Sequence, residues 1–225
     1  MKCVIFAGLP VSERLCRFWQ DAELIIAADA GYENARRLGV EPDLLLGDYD
    51  SAPCPPQNAK TVVLPAEKDD TDTYFAARRA IERGASEVVI LGGLGGRLDH
   101  TLANLQTLVF LAKNGVRAWL VDEANEVTAL LPGAHPVPAR WGWYLSVFSA
   151  GDAARGVTLE GLKYPLHEAT VTNFFPIGVS NEFAADTATV RFSDGILYLM
   201  LSRREEEGHG SGVTGDPFRR VGPAH

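Results

Sequence analysis

Short apolar runs alternate with helix-like segments through the first half of this 225-residue chain. This alternation is typical of a mostly parallel sheet whose two faces are covered by helices. In such sheets ligands bind beyond the carboxyl ends of the strands, so we expect functional residues in the loops that follow each strand. The runs predicted as strands are 3–6, 24–28, 44–46, 61–64, 88–91 and 117–121, and the predicted helices are 32–38, about 70–83 and about 98–113.

The second half of the chain has a different pattern. After Asn125 the segments 126–131, 143–148, 187–192 and 196–201 are predicted as strands with no helix between them, which favours an all-β sandwich. Ser193-Asp194-Gly195 is typical of a hairpin turn and is predicted to join the last two strands. We therefore predict an α/β domain over 1–124, a β-sandwich over 125–202 and a disordered tail over 203–225, where little can be buried.

Composition limits the partners and the compartment. A net charge of −8 argues against a nucleic-acid partner, whose phosphates need a basic face. The three cysteines, Cys3, Cys16 and Cys54, show no metal-binding spacing and are expected to be free thiols. The chain opens directly on a strand-like segment, so we expect no signal peptide, no membrane span and a cytoplasmic location.

A glycine loop between a strand and a helix is the most informative single motif. Residues 91–104 read LGGLGGRLDHTLAN, and backbone in such a loop can come close to a phosphate ligand. The stretch is not a dinucleotide fingerprint, because Leu98 stands where the last glycine should be. Arg97 could bind phosphate, whereas Asp99 could act on a substrate or simply cap the following helix. The inner side of that helix is predicted to carry Leu102, Leu105, Leu108, Val109 and Ala112.

Acidic residues follow two other predicted strands. Asp48 and Asp50 project to the same side if the backbone stays extended after 44–46, and two such carboxylates favour a Mg²⁺ ion between them. An acidic surface turn is the alternative. Asp72 could be a third Mg²⁺ ligand with Lys68 facing phosphate oxygens, although acids and threonines also suit the start of a helix. Asp29 follows 24–28 and fits the same ligand-facing edge.

These motifs occur in one order that resembles a known family. Asp29-Ala-Gly31, Gly47-Asp-Tyr-Asp-Ser51, Thr71-Asp72, residues 95–104, residues 161–166 and Ser180-Asn-Glu182 are together similar to the bacterial thiamine pyrophosphokinases. The resemblance implies an α/β nucleotide domain followed by a β-sandwich, and a homodimer with active sites between subunits. It also implies transfer of the pyrophosphoryl group of Mg-ATP to the thiamine hydroxyl, which releases AMP.

The resemblance also implies a role for each matching residue. Asp48, Asp50 and Asp72 would hold Mg²⁺, Arg97 would bind phosphate oxygens, and Asp99 would orient or deprotonate the alcohol. Thiamine would contact Ser180 and Asn181. The residues implied at the nucleotide are Asp29, Ser51, Lys68, Thr71, Gly95, Gly96, His100 and Asn104.

Two other functions fit the same residues. One is a pyrophosphokinase for another small alcohol, such as a hydroxymethylpterin, because the acceptor pocket would lie in the less informative second half. The other is a nucleotide-sensing protein that keeps the fold without turnover, although a sensor would not need three metal carboxylates.

Overall fold

The predicted alternation of strands and helices is present in the first half of the chain. The computed structural model describes residues 1–47, 61–63 and 70–204. A short 3-10 helix over Glu13–Phe18, which the apolar pattern did not predict, lies between the first two strands. The other elements of this half are β1 (Lys2–Phe6), β2 (Leu24–Ala28), α1 (Gly31–Arg37), β3 (Leu44–Gly47), β4 (Thr61–Val63), α2 (Asp72–Glu82), β5 (Glu87–Leu91), α3 (Leu98–Lys113) and β6 (Arg117–Val121).

The six strands of this half pair in parallel. Their order across the sheet is β6-β5-β1-β2-β3-β4, with β1 between β5 and β2. The chain builds β1 to β4 in one direction and then returns to the other side of β1 to add β5 and β6. The order therefore reverses between β1 and β5, and the loops that follow these two strands diverge from a crevice.

Helices cover both faces of the parallel strands, as predicted. On one face Ile5, Ile26 and Ile90 pack with the alanines of α2 and with Leu108 and Leu111 of α3. On the other face Val4, Phe6 and Val89 pack with Ala35 of α1 and with Leu15 of the 3-10 helix. Apolar residues thus alternate between two cores along each strand, which makes every strand an almost continuous apolar run.

The second half is all β, as predicted, and contains two facing sheets. Four of its strands continue the first sheet through β7, antiparallel to β6, so that the described strands form one ten-stranded sheet in the order β12-β9-β14-β7-β6-β5-β1-β2-β3-β4. The other four form a separate sheet in the order β11-β10-β13-β8. The strands are β7 (Asn125–Leu130), β8 (Gly133–Pro138), β9 (Trp143–Ser149), β10 (Ala153–Glu160), β11 (Leu166–Thr172), β12 (Asn181–Glu182), β13 (Thr187–Phe192) and β14 (Leu197–Arg203).

The sandwich core lies between these two sheets. Leu145, Val147 and Leu199 of the large sheet pack against Leu159 and Val190 of the small one. The strands β8, β10, β11 and β12 are additional to the sequence prediction. Strand β8 was not predicted because Pro136 and Pro138 are unfavourable in most strands. An edge strand tolerates them, since one side of its backbone has no partner.

The predicted hairpin at Ser193-Asp194-Gly195 is wrong. Strand β13 pairs with β8 and β10, whereas β14 pairs with β7 and β9, so the turn carries the chain from one sheet to the other. Its backbone pairs instead with Arg155 of β10, whose N–H donates to the Asp194 carbonyl over 2.9 Å. A turn motif specifies the local reversal but not the strands that flank it.

Two predictions near element ends also change. Leu102 was predicted on the inner side of α3 but is 56% exposed, and Leu98 one turn earlier is 80% exposed. Strand β14 includes Arg203, the first residue of the predicted tail, and residues 205–225 lie outside the described part of the chain. Within that described part, no helix is long and apolar enough to cross a membrane.

Candidate functional site

Loops that bear polar residues gather at the carboxyl ends of the parallel strands. Strand β5 leads into the glycine loop, β2 into Asp29, and β3 ends at Gly47, directly before Asp48. Because β5, β1, β2 and β3 are neighbours in that order, their loops lie side by side along one edge. The edge includes the crevice at the reversal of strand order, where ligands bind in sheets of this kind.

Asp29 at this edge has an unusual backbone conformation and an unusual side-chain environment. Its backbone has a φ of 49°, in the left-handed region, and its N–H donates to the Leu46 carbonyl over 2.6 Å. The Oδ1 atom is enclosed, and within the described residues it is the one buried side-chain oxygen or nitrogen without a hydrogen-bond partner. A strained residue with an unpartnered buried carboxylate oxygen suits a ligand that supplies a cation or a donor.

Helix α2 begins at the same edge with Asp72. The residue before it, Thr71, is the N-cap, and its side chain accepts a hydrogen bond from the Tyr74 N–H over 3.2 Å. Thr71 therefore has the capping role that the sequence left open beside nucleotide binding. Asp72 opens the first turn, where a carboxylate is favoured by the helix dipole.

Asp48, Asp50, Ser51 and Lys68 lie outside the described residues. Among the residues that are described, no three His, Cys, Asp or Glu side chains are grouped closely enough to hold a metal ion.

The glycine loop is a built structure rather than a simple turn. Gly95 and Gly96 have φ values of 93° and 61°, in the left-handed region that glycine adopts at no steric cost. The Gly95 N–H donates to Thr101 Oγ1 over 3.1 Å. Behind the loop, buried Asn104 donates from Nδ2 to the Gly93 carbonyl over 2.8 Å. Thr101 and Asn104 of α3 thus brace the loop from its helix side.

Arg97 and Asp99 bind one another at the start of α3. The Arg97 Nε and Nη2 atoms donate to the two carboxylate oxygens of Asp99 over 3.1 and 2.6 Å. Both side chains are exposed, so they remain accessible to a ligand. The guanidinium lowers the pKa of the Asp99 carboxyl, and the carboxylate raises the pKa of Arg97. The side chain of His100 is also exposed, and its backbone N–H donates to Asp99 Oδ1 over 2.9 Å.

The N-cap position of α3 is Arg97, which makes no side-chain cap hydrogen bond. Asp99 is the second helical residue and accepts from one free N–H of the first turn. Asp99 therefore caps one backbone N–H of the first turn, while both of its carboxylate oxygens also accept hydrogen bonds from Arg97.

The sequence prediction missed the loop in the middle of the edge. Residues 7–12 follow β1 and lie between the glycine loop and Asp29, because β1 lies between β5 and β2. The Leu9 N–H donates to the Gly92 carbonyl over 2.9 Å. The signal available in the sequence was a Gly-Leu-Pro turn directly after a buried strand, without any charged residue to mark it.

A cavity of about 430 Å³ opens between this loop and the glycine loop. Leu9, Val11, Gly92 and Gly96 line it, together with Asp122 after β6. A larger cavity of about 660 Å³ lies elsewhere, between Trp119, Leu130 and Pro136, and none of the predicted site residues lines it. The smaller cavity lies at the reversal of strand order, and of the predicted site residues that the structure describes, Gly96 lines it.

Ser180 and Asn181 lie far from this edge. Ser180 is exposed with a φ of 56°, and its N–H donates to Ser146 Oγ over 2.9 Å. Asn181 is buried in β12, and its amide bridges the Tyr164 backbone: Nδ2 donates to the carbonyl over 2.6 Å, and Oδ1 accepts from the N–H over 2.9 Å. Asn181 thus holds the 161–165 turn, while Ser180 faces solvent.

The fold and this edge define a class of protein: an α/β chain with polar loops at the carboxyl end of a parallel sheet, which continues into a β-sandwich. The family model described as "Thiamin pyrophosphokinase, catalytic domain" matches residues 15–120. The model described as "Thiamin pyrophosphokinase, vitamin B1 binding domain" matches residues 135–197. The chain belongs to the thiamin pyrophosphokinase family.

Individual relatives agree with the family models. The thiamine pyrophosphokinase of Bacillus subtilis is 29% identical over 197 residues, which span 84% of this chain and 91% of the relative. A crystal structure of the Bacillus subtilis thiamine pyrophosphokinase superposes with a TM-score of 0.81 at 29% identity, covering 90% of this chain and 99% of that one. The Geobacillus thermodenitrificans thiamin pyrophosphokinase structure gives 0.78 at 29% identity, with coverages of 90% and 97%.

Proposed function

We propose that this protein is a thiamine diphosphokinase that transfers the pyrophosphoryl group of Mg-ATP to the thiamine hydroxyl, giving thiamine diphosphate and AMP. One observation carries the proposal: the chain matches both the catalytic and the vitamin B1 binding models of one family, in order. The thiamine-specific match favours thiamine over a pterin alcohol as acceptor. The ATP partner is supported by the crevice at the reversal of strand order and by the glycine loop beside it.

Magnesium fits the donors at this edge. Asp48, Asp50 and Asp72 would hold the ion, and the proposal is supported by Asp29 at the same edge, whose buried Oδ1 has no hydrogen-bond partner among the described residues. Carboxylates that share Mg²⁺ with substrate phosphates are a common arrangement. When bound, the ion neutralises charge on the phosphate oxygens.

The rest of the chemistry is positioning and charge neutralisation by side chains of this chain. The glycine loop lets the backbone approach the phosphates, and the exposed Arg97 guanidinium can bind their oxygens in a bidentate manner. Ser51, Lys68 and His100 remain proposed contacts to the nucleotide. Asp99 would orient the Arg97 fork or the acceptor hydroxyl.

Within one chain the acceptor residues are too far from the phosphate edge. Ser180 precedes β12 at one border of the large sheet, and β3, which ends at Gly47, lies eight strand positions away. At about 4.8 Å per strand this separation is about 38 Å. We therefore propose a homodimer in which each active site takes its metal carboxylates from one subunit and Ser180 from the other. The exposed Leu98 and Leu102 beside Arg97 are apolar surface that such a contact would cover.

We also propose a cytoplasmic location, because ATP is a cytoplasmic substrate and the described cysteines, Cys3 and Cys16, are free thiols. Neither a nucleic acid nor a membrane is proposed as a partner of this acidic chain.

The test is to incubate the protein with Mg-ATP and either thiamine or a hydroxymethylpterin and to identify the nucleotide product. We expect AMP and thiamine diphosphate with thiamine alone, and loss of most turnover when Mg²⁺ is chelated or in Asp50→Asn. AMP formed only with the pterin would support the other pyrophosphokinase. Nucleotide binding without AMP would support a sensor.

A further inference from the structure

The amide of Asn34 makes three hydrogen bonds to the backbone of one loop. Asn34 lies in α1 and is 6% exposed. Its Nδ2 atom donates to the Ala7 carbonyl over 2.9 Å and to the Leu9 carbonyl over 2.7 Å, and its Oδ1 accepts from the Val11 N–H over 3.2 Å. A buried amide that spans three backbone groups fixes the path of the whole segment, since every lost bond would leave a polar group unpaired.

A second side chain of the same helix reaches this loop. Arg37, one turn after Asn34, donates from Nη2 to the Val11 carbonyl and approaches Asn34 Oδ1 at 3.5 Å. Helix α1 itself packs closely against β1, because a Cβ added at Gly31 would lie 1.9 Å from the Phe6 carbonyl oxygen. The loop is therefore attached to a helix whose own position is set by close packing.

The held loop sets the position of the glycine loop. The Ala7 and Leu9 N–H groups donate to the Leu91 and Gly92 carbonyls over 2.8 and 2.9 Å. A Cβ at Gly92 would come within 2.4 Å of the Leu9 carbonyl oxygen, and one at Gly96 within 2.9 Å of Leu9 Cδ2. With so little free space, a displacement of Leu9 would be transmitted to Gly92 and Gly96.

We propose that Asn34 is a positioning residue for the nucleotide: through residues 7–12 it holds the glycine loop in the shape that receives the phosphates. This inference rests on the proposed function for the identity of the ligand. The amide of Asn34 is engaged by the backbone of this loop, and the acceptor residues lie at the β12 border of the sheet. Its loss should therefore weaken the use of ATP and leave the use of thiamine unchanged.

The experiment compares Asn34→Ala and Asn34→Asp with the wild type. Asn34→Asp keeps the shape of the side chain but cannot donate to the two carbonyls. In both variants we expect kcat/KM for ATP to fall on the order of tenfold to a hundredfold, with KM for thiamine changed less than about twofold. Asn114→Ala is the matched control, because Asn114 also donates from Nδ2 to a carbonyl, that of Phe110 over 2.8 Å, at an exposed helix end.

Amide hydrogen exchange provides a readout that does not depend on turnover. In the Asn34 variants we expect faster exchange both in residues 7–12 and in the glycine loop, with the β-sandwich unchanged. Unchanged exchange in the glycine loop, or a parallel rise of KM for both substrates, would overturn the proposal. If Asn34→Ala does not fold, Arg37→Ala removes one bond to the same loop and should give a smaller effect in the same direction; no effect would also overturn it. A wild-type protein that forms no AMP would refute the proposed function, while the exchange data would still decide whether Asn34 holds the two loops.

Discussion

At the scale of single residues, the predicted site residues divide into those with polar groups left over at the edge of the sheet and those that hold the backbone of other segments. Arg97 and Asp99 are exposed at the edge of the sheet, and Asp29 has an enclosed oxygen without a hydrogen-bond partner among the described residues. Asn104 and Asn181, by contrast, use their amides on the backbone of Gly93 and Tyr164. The same residue type thus serves two purposes, and its neighbours decide which one.

The pairing of Arg97 with Asp99 predicts how the variant Asp99→Asn behaves. Because the hydrogen bond from Arg97 lowers the pKa of Asp99, the carboxylate is a weak base and stays ionised through the neutral range. The ion pair between Arg97 and Asp99 is therefore lost only when the pH falls below the ordinary pKa range of an aspartate. We expect Asp99→Asn to lower kcat/KM for ATP about tenfold through loss of the Arg97 fork, and to leave the pH profile unchanged between about pH 5 and pH 8.

A general base would give a different result. Removal of such a base would cost about a hundredfold or more and would abolish an acidic limb of the pH profile. Asp194→Asn is the matched control, since Asp194 pairs with Arg155 over 2.8 Å and is similarly exposed, but lies in the turn between the two sheets. It should not change the kinetics.

At the scale of elements, the glycine loop is held in shape because it packs closely against residues 7–12. Gly92 and Gly39 both have left-handed backbones, with φ values of 73° and 67°. A Cβ at Gly39 would meet nothing within 4 Å, whereas one at Gly92 would be 2.4 Å from the Leu9 carbonyl oxygen. The two positions therefore differ in contact but not in backbone conformation.

This pair predicts a difference in stability. Gly39→Ala should cost about 1–2 kcal/mol of unfolding free energy, from the left-handed conformation alone. Gly92→Ala should cost about 1–3 kcal/mol more, because the loops must move apart, and it should also weaken ATP use. Chemical denaturation of both variants measures the difference. Equal losses would show that the loops can separate without cost.

At the scale of the whole molecule, the large sheet joins the two halves and also separates their functional residues. Strand β7 pairs with β6 on one side and with β14 on the other, so the sheet crosses the predicted domain boundary without a break. The division into domains at residue 124 stays a prediction. The distance along this sheet is the physical reason to expect sites shared between two subunits.

Subunit mixing tests this assembly. Asp50→Asn disables the phosphate half of a site, and Ser180→Phe blocks the acceptor half. If sites are shared, an equal mixture after subunit exchange should recover about a quarter of wild-type activity, because half of the dimers are mixed and each has one intact site. A mixture of Asp50→Asn with Asp72→Asn should recover nothing, since every site then carries a phosphate-half defect. No recovery in the first mixture would mean that each site is built within one chain.

The sequence alone determined the features that depend on near neighbours along the chain. Apolar periodicity predicted the strands from β1 to β6, acids and threonines near residue 70 marked the approximate start of α2, and the glycine loop and its Arg97 are evident in the sequence. Only the tertiary structure decided which strands pair, that Leu102 is exposed, and that Asn34 holds residues 7–12. The reason is physical: a cap, a turn or a helical face arises from contacts a few residues apart. Sheet order and buried amide partners depend instead on contacts between segments that are distant in the sequence, and the pattern of a single segment does not encode them.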